Sequence, residues 1–107
     1  MNKNEQLELI INLDKEALDI MISKGGDYAN EDVLSNFKRV SSLAKVLNLD
    51  IGTPSGYALF MTILKIDRIN NLINSNKVPN NESIEDSFKD GINYFKLAYL
   101  CYLEENI

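Results

Sequence analysis

Apolar residues recur every three or four positions in four stretches of the 107-residue chain, the spacing that lines one face of an α-helix. In the first, over residues 5–23, Leu7, Ile10, Ile11, Ala17, Leu18 and Met21 share an arc of about 100°. Lys24, Gly25 and Gly26 follow, a C-terminal signal that predicts the end of the helix. Asp14 interrupts the arc. Two readings of it stand: a carboxylate left in water by a rotated first turn, or one aimed into the bundle at a cation or metal. The second stretch, residues 32–47, spaces Val33, Phe37, Val40, Ala44 and Leu47 helically, with Asn30 or Asp32 as the expected cap.

The third stretch, residues 54–74, opens on Thr53-Pro54: a hydroxyl cap, then a proline where its missing N–H costs nothing. Leu59, Ile63, Ile66, Ile69 and Ile73 form its main stripe, and Met61 and Leu64 lie on other sides. A helix apolar nearly all round belongs at the centre of its bundle. The fourth, residues 82–104, presents Ile84, Phe88, Ile92, Phe95, Tyr99 and Tyr102. No period-two alternation suggests a strand anywhere. The prediction is an all-α, four-helix bundle-like single domain over residues 1–107. The third and fourth helices carry more apolar surface than one such core needs, so a homo-oligomer is expected, a symmetric homodimer by default.

Composition narrows the chemistry. Hydrophobic residues make up 45% and charged residues 25%, an ordinary soluble globular balance. A net charge of -5 argues against duplex nucleic acid as a partner, because phosphate backbones are repelled. With no histidine, the commonest general base and metal ligand is missing, and Ser-His and Cys-His mechanisms are excluded within the chain. One cysteine makes no internal disulfide. No run approaches the ~18 apolar residues of a membrane span, and the N-terminus lacks a signal-peptide shape. A cytoplasmic setting and no membrane partner are expected.

The remaining candidates are oxygen donors, amides, cations and aromatics. Glu82, Asp86, Asp90 and Asn93 fall on one arc of the fourth helix, which turns apolar at Leu97 and Leu100. Stacked carboxylates of this kind hold Mg²⁺, with Glu82 and Asp86 as the ligands if a metal binds, or pair with cations of a neighbouring helix. Lys65 and Arg68, three apart on the third helix, are the natural cations. Asp27-Tyr28 and Asn36-Phe37 each set a group that can read a base edge beside a ring that can stack on it. As a solvated face, a turn and a core aromatic, the same residues would have only structural roles.

Taken in order, Lys24-x-x-Asp27-Tyr28, Asn36-Phe37, Lys65-x-x-Arg68-Ile69, Asn80-x-Glu82-Ser83-x-x-Asp86 and Asp90-x-x-Asn93-Tyr94 resemble the nucleotide modification associated domain, type 1. This small all-helical family is common in phages and mobile elements, and the resemblance covers about residues 20–100. It implies nucleotides and the host cytoplasm, and it names no reaction. The form is also similar to all-α nucleoside triphosphate pyrophosphatases of the MazG kind, which clamp Mg²⁺ between E-x-x-E and E-x-x-D pairs. The chain departs from that clamp. Glu16-x-x-Asp19 points away from its apolar arc, and Glu82-x-x-Glu85 and Asp86 come more than sixty positions later.

Three functions follow as expectations. The first is a nucleotide-binding protein of nucleotide metabolism or modification, Mg²⁺-dependent if it is catalytic. Lys24, Lys65 and Arg68 would hold phosphates, Tyr28 and Phe37 the base or sugar, and Glu82, Asp86 and Asp90 the metal or the cations. Residues 24–32, KGGDYANED, would form the pocket rim. The second is non-catalytic sequestration of a nucleotide-derived immune signal, a cyclic dinucleotide or a cyclic ADP-ribose, by an anti-defence protein. The third is a ligand-free helical interaction module.

Overall fold

The computed structural model describes residues 1–28, 32–76, 78–79 and 83–107. They form four α-helices, α1 (Lys3–Tyr28), α2 (Ser35–Val46), α3 (Pro54–Ser75) and α4 (Ile84–Glu105), with no strand among the described residues. Each boundary has a local cause. A reciprocal capping box opens α1: Asn2 Oδ1 accepts from the Glu5 backbone amide at 2.9 Å, and the Asn2 backbone amide donates back to Glu5 Oε2 at 3.3 Å, with the Asn2 side-chain amide donating to Oε1 at 3.0 Å. Thr53 caps α3 as the Thr-Pro signal predicts, accepting from the Gly56 amide at 3.1 Å. Ser83 caps α4, accepting from the Asp86 amide at 3.0 Å.

Two elements differ from the expectation. Helix α1 does not stop at residue 23; it continues through Gly25 and Gly26 to Tyr28, and no glycine takes a positive φ. Its last carbonyls are satisfied from other helices instead. Asn71 of α3 donates to the Asp27 carbonyl at 3.0 Å, and Arg39 of α2 donates to the Tyr28 carbonyl at 2.9 Å. The second difference is at the start of α2. Its N-cap is Leu34, with no side-chain cap; Asp32 serves the preceding turn, accepting from the Leu34 amide at 3.0 Å.

Helices α3 and α4 pack along their length as an antiparallel hairpin, and α1 and α2 rest on α3. The central position expected of α3 is thus realised, and seven of its residues are buried. The face that α4 turns toward α3 is not the predicted stripe. Ser87, Gly91, Tyr94, Ala98 and Cys101 recur at four- and three-residue intervals and are buried or half-buried. Phe88, Ile92, Phe95, Tyr99 and Tyr102 remain more than half exposed. The physical reason is size and charge: Ser, Gly, Ala and Cys let two helix axes approach, and polar bonds from α3 pull this face inward. The predicted face of α2 is likewise mostly outside, since only Asn36 and Val40 are buried while Val33, Phe37 and Leu47 are exposed.

The two ends of the hairpin are fastened differently. At one end Ser55 donates from its amide (2.9 Å) and its hydroxyl (2.5 Å) to Glu105. Gly56 is obligatory beside it, because a Cβ there would lie 1.7 Å from the Asp50 carbonyl oxygen. At the other end the interior is polar.

Candidate functional site

The buried residues include more polar members than apolar ones. Val40, Ala58, Ile69, Leu72 and Ala98 are apolar; Asp27, Asn36, Asp67, Arg68, Asn71 and Ser87 are not. The polar ones gather where all four helices meet. Arg68 and Asp27, each 1% exposed, pair at 2.8 Å, and the second guanidinium nitrogen of Arg68 donates to the Ser87 hydroxyl. Arg39 reaches from α2 to Asp67 of α3, with Nε at 2.6 Å and Nη2 at 3.1 Å from its two carboxylate oxygens. This bond holds the Arg39 guanidinium above its already high ordinary pKa, so it stays charged at any accessible pH. Lys65 and Asp90 pair at 3.4 Å one turn further along the hairpin.

Buried ion pairs give little net stability, because desolvation offsets their attraction. They do fix geometry, and here they fix the entry to α2. Asn36 is 8% exposed, and its amide makes no hydrogen bond among the described residues. Beside it the Ser35 hydroxyl is buried without a partner. The backbone amides of Asn36 and Phe37 find no acceptor among the described residues either. Side chains lean toward the N-terminus of their own helix, so Ser35 and Asn36 lean toward this uncapped end. One turn on, Arg39 spends Nε and Nη2 on Asp67 and Tyr28; its Nη1 has no partner among the described residues, and its side chain is 42% exposed.

The expected residues sort as follows. Asp27 and Arg68 come together, as do Lys65 and Asp90. Asn36 lies on the α2 face that carries Arg39 to α3, and Tyr28 is half-buried beside it in the fold through the Arg39 bond. Lys24 and Phe37 are exposed. Asp86 is exposed at the start of α4 and forms no ion pair among the described residues. Glu82, with Asn30, lies outside the described residues. No group of three or more metal-ligating side chains occurs among the described residues. Arg68 is not placed as a phosphate ligand in this arrangement; it is enclosed as the link between α1, α3 and α4. The sequence reading missed Ser35, Arg39, Asp67, Asn71 and Ser87. Only Arg39 carried a signal, three positions from Asn36 and four from Ser35 on one face.

A groove of about 260 Å³ lies at the opposite end of the hairpin, lined by Pro54, Leu97, Leu100, Cys101, Glu104 and Glu105. Its charged lining is acidic only, which disfavours an anionic ligand. No helix among the described residues is long and apolar enough to cross a membrane. No protein family, curated protein or solved structure matches the chain.

Proposed function

We propose that the chain binds a nucleotide or a nucleotide-derived small molecule at the α1–α2 corner. The observation that carries this reading is the buried Ser35 hydroxyl without a partner, at an uncapped helix N-terminus that also bears Asn36 and a charged arginine. Leaving a buried polar group without a partner costs about 1–3 kcal/mol, and a ligand that supplies the partner recovers it. The helix end favours an anion: its amides point outward and its dipole is positive there. Arg39, one turn on and on the same side of α2, adds a charged donor in Nη1. Tyr28 and the exposed ring of Phe37 flank the corner as surfaces for a base or sugar. The sequence resemblance is what suggests a nucleotide, and the open helix end with the unpartnered Ser35 hydroxyl is what suggests an anion.

The test uses a panel of mononucleotides, cyclic dinucleotides and cyclic ADP-ribose isomers, with and without Mg²⁺. A ligand at 100 times its Kd raises stability by about 2.7 kcal/mol. Ser35→Ala distinguishes a site from a structural defect. It is expected to raise the stability of the free protein, by about 1 kcal/mol, while weakening binding. No thermal shift with any member of the panel, or unchanged affinity in Ser35→Ala, overturns the reading. Heating the loaded protein and analysing the supernatant separates sequestration, which returns intact ligand, from turnover, which returns products.

A further inference from the structure

The molecule exposes too much of itself for a single chain. A folded monomer of this mass exposes about 6,000 Å², whereas the chain exposes 8065 Å². Its radius of gyration is 17.3 Å, against about 13 Å for a compact domain of this length. The excess, about 2,000 Å² per chain, is what each member of an obligate pair buries when the whole interface lies in the 2,000–5,000 Å² class.

The excess has an address. In α1 every residue up to Ile22 is exposed, and contact with α3 is made by its C-terminal turns. Leu7, Ile11, Leu18 and Met21 recur on it at steps of four, seven and three, with Asp14 in the gap. On α4 the outward stripe Phe88, Ile92, Phe95, Tyr99 and Tyr102 steps by four, three, four and three. Both follow the heptad spacing of a helix–helix seam. Both run over the same length, about 21 Å at 1.5 Å per residue. Within one chain they do not pack on each other: α1 and α4 are not among the helix pairs in extended contact.

We infer that a second copy of this chain covers these faces: α1 of each protomer lies along the outward stripe of α4 of its partner, reciprocally about a two-fold axis. An isologous exchange of this kind buries both stripes twice with one contact, and it completes around each hairpin the bundle that α1 leaves open in its own chain. The inference rests on surface and spacing alone and is independent of the ligand site.

Light scattering on the eluting wild-type protein at micromolar concentration is expected to give twice the chain mass. Isotope-filtered NOE spectra of mixed labelled and unlabelled protein are expected to connect Phe and Tyr ring protons of α4 to Leu and Ile methyls of α1 between copies. Ile11→Asp and Phe95→Asp should each weaken the dimer by about a hundredfold or more, the size of a hot-spot loss, with helix content retained. A wild-type monomer overturns the inference. So does a dimer whose intermolecular contacts omit the α1–α4 pairing, and that measurement needs no variant to fold.

Discussion

Asp27 and Arg68 decide what the polar interior is for. Each is 1% exposed, and they pair at 2.8 Å. Removing Asp27 takes a counter-charge from a fully buried guanidinium, so Asp27→Ala is expected to destabilise, by up to about 3–5 kcal/mol. The joint replacement Asp27→Leu, Arg68→Met should cost less, because the buried guanidinium is removed together with its Asp27 counter-charge. Urea denaturation of the three variants checks both statements; equal losses for the single and joint replacements would contradict them. The partnership was half legible. Lys65 and Arg68, three apart on an apolar helix, announce cations facing inward, and Lys65 does meet an α4 acid, Asp90. Arg68 instead meets Asp27 from the glycine corner. That choice depends on the depth at which α1 crosses α3, and spacing within one helix carries no such information. Arg39–Asp67 was invisible for the same reason, being set by the packing of α2 on α3.

At the scale of elements, starts were easier to read than stops. Thr53-Pro54 encodes its cap in two adjacent residues. The end of α1 is made by Asn71 and Arg39, distant in sequence, and they carry the helix past two glycines that locally favour termination. A Cβ at Gly25 would meet nothing within 4 Å. Gly25→Ala is therefore expected to stabilise the protein by about 0.5–1 kcal/mol, read as a raised urea midpoint with an unchanged slope. The inward face of α4 was misread because hydrophobicity nominates the bulky stripe, whereas close approach to α3 selects the small one. The other end of the hairpin responds to acid. The Ser55 hydroxyl, and after it the Ser55 amide, hold the Glu105 carboxyl below its ordinary value of 4.5. A lowered folded pKa means that the contribution is complete above the unfolded value and is lost as pH falls through the folded one. Wild type and Glu105→Gln should therefore differ in stability at neutral pH and converge in acid, with the ¹³C titration of the Glu105 carboxyl marking the window.

For the whole molecule, the quantity that matters is surface. Chain length and apolar content announced four helices and surplus greasy area, but which faces stay open follows from how the hairpin closes. If two copies share that surplus, folding is linked to association, and the melting temperature rises with protein concentration; a melting temperature independent of dilution contradicts the pairing. The polar junction and the open faces then divide the labour: one fixes where the helices cross, the other supplies the burial that the small interior lacks. Helix α1 is about 39 Å long, and its last turn is bonded to α2 and α3 at Asp27 and Tyr28. Geometrically it is a beam on a fulcrum. A tilt of about 10° at the grip sweeps its free tip through about 7 Å, given that length. In the inferred pair the partner's α4 would hold that tip in place, so pairing would also fix the direction of α1.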